Sequence, residues 1–400
     1  MLEDNTYKSY INKSHMDINF MQWFVGFTDA EGNFSIMNNK DYIRFRYIIN
    51  LHMDDVEVTN IIKNNLEVGH VNTYSTHAAF VVYKYDELMY TLNMFDKTGL
   101  QTKKRFDYDK FRSVMTRKEF IGRKLNEDQK REMISMKNNM NKGMSNEVWD
   151  SATDVNMNQH WLIGFTEGDG TFGIKGLSPY YKVSQKYSEK TTFGIEKYMN
   201  SLLKTPVKTT HALNKRTNVV CLYVSDIDML YYTMYPLFNN NMYSRKTIDF
   251  ELWYMVLHCH KLGLHLTSEG REFMVFVSEN NNKNRYSSVK DQNIWKENLS
   301  KMREMYKELL KMDPLTDMNK GLTHTQLTLE HVHKNHNEKT MYTYDNNETV
   351  LDSPFKTYAE VNEMLGTNKS GRTVYRKIDT NKTYKNRYLI TSKPMIKDFN

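Results

Sequence analysis

Apolar residues recur at helical spacing at Phe20, Trp23, Phe24 and Phe27, and again at Trp161, Leu162 and Phe165. That period predicts one helix ahead of Gly32 and another ahead of Gly170. Asn19 and Asn158 stand where N-caps belong, and the two glycines stand where helices stop. Past each glycine the pattern changes to alternation. Phe34 and Ile36 are interleaved with Asn33 and Ser35, and Phe172 and Ile174 flank Gly173, so each helix leads into a strand. Further strand patterns cover 42–51, 79–83, 180–186 and 218–224, and helical patterns cover 54–68, 86–96, 107–118 and 188–203. The predicted order in each block is helix–strand–strand–helix–strand–strand–helix. This is an α+β plan with helices on one sheet face and the other face open.

The two blocks are copies. WFVGFTDAEGNFSI at 23–36 matches WLIGFTEGDGTFGI at 161–174, and QTKKRFDYDKFRSVM at 101–115 matches YSRKTIDFELWYMVL at 243–257. Within the second pair Lys104 faces Lys246, Asp107 faces Asp249, and Thr102 faces Ser244. A weaker echo pairs KLNEDQKREM at 124–133 with HLTSEGREFM at 265–274. One duplication with a small insertion accounts for all of it. The chain then divides into a first half (18–142), a linker (143–157), a second half (158–282), a helical linker (283–338) and a C-terminal module (339–397).

Composition narrows the class. With 39% hydrophobic and 13% aromatic residues over 400 positions, wholesale disorder is excluded. Two cysteines, Cys221 and Cys259, exclude a disulfide scaffold and a CxxC zinc site. No apolar run is long enough for a membrane span, and the first ten residues lack the apolar centre of a targeting peptide. A net charge of +7 permits a polyanionic partner without demanding one. Ala is scarce beside abundant Asn, 27 Tyr and 26 Met, the bias an A/T-rich genome and a yeast-type mitochondrial code would produce. The expectation is a protein made, and retained, in the mitochondrion.

Glu31 and Asp169 each sit just before the glycine that ends a motif helix. Free carbonyls and the negative end of the helix dipole gather there, so an acid is unfavourable by up to about 1 kcal/mol. A divalent cation reverses that penalty, because Mg²⁺ takes carboxylate and carbonyl oxygens. Gly26, Ala30, Gly164 and Gly168 are small enough for the two helices to pack closely and bring both acids to a pseudo-twofold axis. One acid–glycine pair alone is an ordinary helix end. Two copies, each followed by a strand and a Thr/Ser-x-Lys-x-x-Asp element, point to a bound metal.

FVGFTDAEG (24–32) and LIGFTEGDG (162–170) resemble the signature helices of a double-motif LAGLIDADG homing endonuclease or maturase, a resemblance covering 18–282. It implies two pseudo-symmetric αββαββα halves in one monomeric chain, forming a saddle over double-stranded DNA, with metal-dependent hydrolysis of both strands. It implies that Glu31 and Asp169 hold Mg²⁺ or another divalent cation, with Ala30 and Gly168 beside them in the metal site. It assigns Lys104 and Lys246 to the basic pockets, although Lys103 and Arg245 leave that register open by one. Gln185 matches the polar strand residue that orients water, whereas its first-half counterpart is Leu51. For DNA contact, Arg44 and Arg46 alternate with Phe45 and Tyr47, Lys182 and Lys186 share a strand face, and Lys208, Lys215 and Arg216 lie in turns. A two-stranded ribbon bearing such residues fits the major groove.

Past 283 a polar link leads to a helical pattern over 291–312, expected to pack on the core. HVHKNH at 331–336 has no cysteine or acid cluster to support a metal site and is expected to be a solvated linker, and His258, Cys259 and His260 simply continue a helix. The final module predicts a hairpin with its turn at Asp345–Glu348 and a capping box at Thr357-x-x-Glu360. It further predicts a helix stop at Gly366, a short second helix around Ser370–Ile378, and a strand in TYKNRYLIT. Residues 366–397 hold nine Lys or Arg, including Arg372, Arg376 and Lys377, against the single acid Asp379. A helix–turn–helix-like pair with a basic second helix suits the major groove, and the stretch resembles modular DNA-binding repeats of intron-encoded nucleases. Three functions follow: a site-specific endonuclease that propagates its intron, an RNA maturase assisting group I intron splicing, and a non-cleaving DNA-binding regulator. Intact acids in both motifs favour the first.

Overall fold

A computed structural model describes residues 17–39, 42–117, 120, 124–140, 155–186, 189–203, 209–214, 216–281, 292–313, 341–345, 348–349, 354–368 and 373–392. The first half runs α1 (Ile18–Glu31), β1 (Gly32–Asn39), β2 (Tyr42–His52), α2 (Val56–Leu66), β3 (His70–Thr73), β4 (His77–Val82), α3 (Tyr85–Thr98) and α4 (Lys104–Met115), followed by α5 (Glu127–Asn139). The second repeats the plan with α6 (Gln159–Asp169), β5 (Gly170–Lys175), β6 (Ser178–Lys186), α7 (Glu189–Ser201), β7 (Thr210–Asn214) and β8 (Val219–Val224). After a short helical stretch come α8 (Lys246–Lys261) and α9 (Ser268–Asn280). Both sheets have four strands in equivalent order, β1-β2-β4-β3 and β5-β6-β8-β7. The fold is α+β and duplicated. The edge strands β3 and β7 had no alternation of their own to reveal them; pairing with β4 and β8 makes them strands.

Alternation along β2 puts Ile43, Phe45, Tyr47 and Ile49 in the core, while Arg44 and Asn50 face outward. Phe34, Tyr47, Phe95 and Phe111 fill the space between sheet and helices with tilted and edge-on rings. Tyr47 also meets the Thr28 hydroxyl at 2.6 Å, and Tyr181 meets Thr166 in the same way at 2.7 Å. These matched bonds fix the alignment of β2 on β6. Four residues on, Leu51 stands opposite Ala78 and Gln185 opposite Val220.

One detail of the motif helices differs from expectation, and the glycine stops hold for a reason of their own. The cap of α1 is Asp17, whose carboxylate accepts the Asn19 N–H at 2.9 Å, whereas Asn158 caps α6 as predicted. Gly32 and Gly170 have extended backbones that any residue adopts, so conformation is not why they are glycine. Space is the reason. A Cβ there would lie 2.6 Å from the Thr28 methyl in one helix and 2.5 Å from the Thr166 methyl in the other.

α1 and α6 cross almost backbone to backbone. A Cβ on Gly26 would lie 2.0 Å from the Trp161 carbonyl oxygen, and one on Gly164 would lie 2.0 Å from that of Trp23. Those neighbours are backbone atoms that cannot rotate away. Gly164→Ala should therefore push the helices apart and cost about 2–3 kcal/mol. Denaturant unfolding checks this, and an unchanged midpoint would contradict so close a crossing.

Contact density divides the chain into two compact units. One holds both motif helices, the first sheet, most of the second sheet and the start of α8. The other holds the rest of α8, α9, α10 (Gln292–Leu309) and the C-terminal module. α10 packs on α9, burying Leu299, Met302 and Leu309, as expected of the 291–312 pattern. The module contains β9 (Tyr342–Asp345), β10 (Glu348–Thr349), α11 (Tyr358–Met364), α12 (Thr373–Lys377) and β11 (Tyr388–Thr391), with strand order β10-β9-β11. Its core is Met341, Phe355, Val361, Leu365, Val374, Ile378 and Ile390. The Thr357–Glu360 capping box is present, and Gly366 ends the helix at φ +66°. HVHKNH and most of the 143–157 linker lie outside the described residues.

Candidate active site

The loops that lead into α4 and α8 begin the site. Asp29, buried two residues before Glu31, accepts the backbone N–H groups of Gln101 (2.7 Å) and Thr102 (3.1 Å) and the Thr102 hydroxyl (2.6 Å). Glu167, two residues before Asp169, accepts the N–H of Tyr243 (2.8 Å) and of Ser244. Each acid thus ties the entry of a lysine-bearing helix to the motif helix of its own half. Each also accepts an indole N–H from the other half, Asp29 from Trp161 at 2.8 Å and Glu167 from Trp23. Burial pushes both carboxyls up, while these donors favour the ionised form.

That anchoring delivers the lysines. Lys104 Nζ donates to the carbonyls of Thr28 and Ala30, both at 2.9 Å. Lys246 Nζ donates to those of Thr166 (2.8 Å), Gly168 (3.2 Å) and Gly170 (2.6 Å). Cations thus occupy the negative ends of both motif helices. The register left open in the sequence is resolved in position. Arg245 is turned away, paired with Asp54 and donating its N–H to Asp55 at 2.8 Å, while Lys103 lines the cleft.

Glu31 and Asp169 finish neighbouring helices. A Cβ on Gly168, the residue before Asp169, would lie 2.3 Å from Ala30 Cβ and 3.3 Å from Glu31 Oε1. Gln185 Nε2 donates to Asp169 Oδ2 at 2.6 Å. Burial pushes the Asp169 carboxyl up, opposed by Gln185 and by the charges of Lys104 and Lys246. Burial likewise pushes the Lys104 ammonium down, opposed by Asp29, Asp169 and Glu31. A cleft of about 370 Å³ opens here, lined by Ala30, Lys103 and Lys104 of the first half and by Asp169, Gln185 and Lys186 of the second. The cleft therefore joins lysines of one half to the acid and amide of the other.

Among the described residues no group of three or more His, Cys, Asp or Glu is placed to hold a metal ion. The candidate metal donors are two carboxylates, and the Ala30 and Gly168 carbonyls beside them already accept from lysine. An oxygen-only, two-carboxylate set fits a hard divalent ion that keeps water and phosphate in its shell.

The other expected contacts lie on the sheets. Arg44 is exposed and Arg46 half-buried on the open face of the first sheet, where they line a groove of about 950 Å³ with Asn50, Asn72, His77 and Tyr83. Lys182 sits 5.4 Å over the Tyr223 ring, Lys186 is exposed, and Arg216 is exposed in the β7–β8 turn. In the module Arg376 is exposed and Lys377 donates to the Thr383 carbonyl at 3.4 Å. Lys208, Lys215 and Arg372 lie outside the described residues. Asp29 and Glu167 were not predicted. Their signal was present, since both motifs carry two acids and only one of each can stand at the helix end.

A family model for LAGLIDADG endonucleases matches residues 24–115 and again 162–257. The Uncharacterized mitochondrial protein RF1 of Saccharomyces cerevisiae is 30% identical over 303 residues, covering 69% of this chain and 62% of that protein. The Probable intron-encoded endonuclease Cox1-I1b of Schizosaccharomyces pombe is 26% identical over 268 residues, 61% of this chain and 65% of that one. The chain thus spans a little under two thirds of the length of these relatives. Among solved structures, LAGLIDADG homing endonuclease I-GzeII in complex with its DNA target superposes with a TM-score of 0.53 at 26% identity, covering 66% of this chain and 99% of that one. With one motif helix in each matched stretch and the duplicated fold in common, the chain belongs to the LAGLIDADG endonuclease family.

Proposed function

We propose that the protein is a site-specific, metal-dependent homing endonuclease that cuts both strands of duplex DNA. The observation that carries this reading is the convergence of Glu31 and Asp169 at adjacent helix ends beside a lysine-lined cleft. The two carboxylates would hold Mg²⁺, which when bound neutralises phosphate charge and makes a water more acidic. Gln185 holds the Asp169 carboxylate in one orientation. Lys104 and Lys246 pin the helix ends, and their charge favours the transition state as negative charge grows on phosphate. The open sheet faces, with Arg44, Arg46, Lys182 and Lys186, would carry the duplex, a reading supported by the shared fold of I-GzeII, which is seen in complex with its DNA target. The mitochondrial relative and the codon-like composition support action in the mitochondrial matrix. The paired acids favour cutting over a maturase that stabilises intron RNA without hydrolysis.

The two cuts should be unequal. Gln185 steadies Asp169, whereas the first-half residue aligned with Gln185 is Leu51, whose side chain has no donor to offer. Loss of one such supporting bond slows a metal site roughly 10- to 100-fold. With Mg²⁺ and supercoiled plasmid bearing the intronless target, nicked circles should accumulate before linear product, and Leu51→Gln should shorten that lag. Equal strand rates would remove the asymmetry, and no cutting on the correct target would overturn the nuclease reading.

A further inference from the structure

α9 and α5 are counterparts, with caps Thr267 and Asn126 and buried Met274 and Met133 in matching places. One position between them has diverged in role. In α5, Lys130 makes a surface pair with Glu127 at 2.8 Å. At the matching position of α9, the Arg271 side chain is only 3% exposed. Its Nη1 donates to the Leu266 carbonyl at 3.0 Å, and its Nη2 reaches Asp379 Oδ2 at 3.1 Å. Asp379 belongs to the C-terminal module, and its other oxygen accepts the Ser392 N–H at 2.6 Å. Near the far end of α9, Glu279 pairs with Lys382 of the module. Two ion pairs about two turns apart on one helix fix a body in orientation as well as in place.

The docking aims a particular face. A Cβ on Gly176, in the β5–β6 turn, would lie 3.6 Å from Arg376 Nε, so α12 runs past that turn. Lys175 is exposed beside it, and neither Lys175, Arg376 nor Lys377 is in an ion pair among the described residues. Of the other described basic residues of this segment, Arg387 pairs with Asp345, Lys382 with Glu279, and Lys385 lies 5.4 Å over the Tyr384 ring.

We propose that the module is a fixed extension of the second half's DNA surface: latched to α9 through Arg271 and Asp379, it sets Arg376 and Lys377 beside Lys175 to bond backbone phosphates of the flanking duplex on that side only. The proposal rests on the duplex-DNA reading above, and continuity with the β5–β6 turn is what favours DNA over RNA here. The experiment is hydroxyl-radical footprinting and a salt titration of full-length protein on one target DNA without divalent ions. Wild type should protect further out on one flank than on the other. Arg376→Ala with Lys377→Ala should shorten that flank and flatten the slope of log K against log salt by about 1.8, near 0.9 per lost phosphate contact. Asp379→Asn, which keeps the shape but removes the latch charge, should lose the same flank while the central footprint persists. A symmetric wild-type footprint, an unchanged slope in the double variant, or a slope change seen only on intron RNA overturns the proposal. Should Asp379→Asn fail to fold, its central footprint disappears, and the surface double variant decides alone. Absence of any central footprint in wild type would instead overturn the DNA reading itself.

Discussion

Asp169→Asn and Glu31→Gln should each abolish double-strand cutting while leaving DNA binding within a few-fold of wild type. Both changes preserve side-chain shape and remove one negative charge from the place where the two helix ends meet. In Asp169→Asn the introduced amide can still meet Gln185, so the local packing survives. On the proposed reading each change removes half of a two-carboxylate metal set, and with it several kcal/mol of transition-state stabilisation. A loss of about 10³-fold or more in cutting rate is expected. Binding, proposed to rest on the sheet faces rather than on either acid, should persist. A plasmid cleavage time course beside a gel-shift titration gives both readings. Cutting within tenfold of wild type in both variants, or binding lost with cutting, would remove these acids from the metal role.

Asp29→Ala should be the most damaging change to stability, by about 4 kcal/mol. It would leave four buried donors, from Gln101, Thr102 twice and Trp161, without their acceptor. A buried donor left unsatisfied costs about 1–3 kcal/mol, and partial relaxation keeps the total below the simple sum. Asp29→Asn, which keeps one acceptor oxygen, should fall between Ala and wild type. Denaturant unfolding of the three proteins tests the order. Equal midpoints for Ala and wild type would show that the loop before α4 needs no anchor.

The parts of the fold written in local pattern were legible: the 3.6-residue period of α1 and α6, the alternation of β2 and β6, the duplication that paired Glu31 with Asp169. What was not legible depends on distance or on competition between equals. Asp17 and Asn19 are both good caps, and only the non-helical backbone at Asp17 decides between them. β3 and β7 are strands because of their neighbours. The lysines were legible as basic-pocket residues, but each ammonium is held by the last carbonyls of a motif helix, a partner no spacing announces. Asp29 and Glu167 escaped for the same reason, since their partners lie on other segments that only the folded chain brings near.

The exchange of indole bonds across the α1–α6 crossing has a consequence for recombining such proteins. Trp23 and Trp161 occupy the same place in the two copies, as do Asp29 and Glu167, and each tryptophan serves the acid of the opposite copy. The seam is therefore self-complementary, an isologous contact inside one polypeptide. A first half set against a duplicate of itself would regenerate both bonds, Trp23 of each to Asp29 of the other. A half grafted onto a partner without that tryptophan would bury a carboxylate one donor short. Compatibility between halves is thus decided by four side chains and two glycines at the crossing.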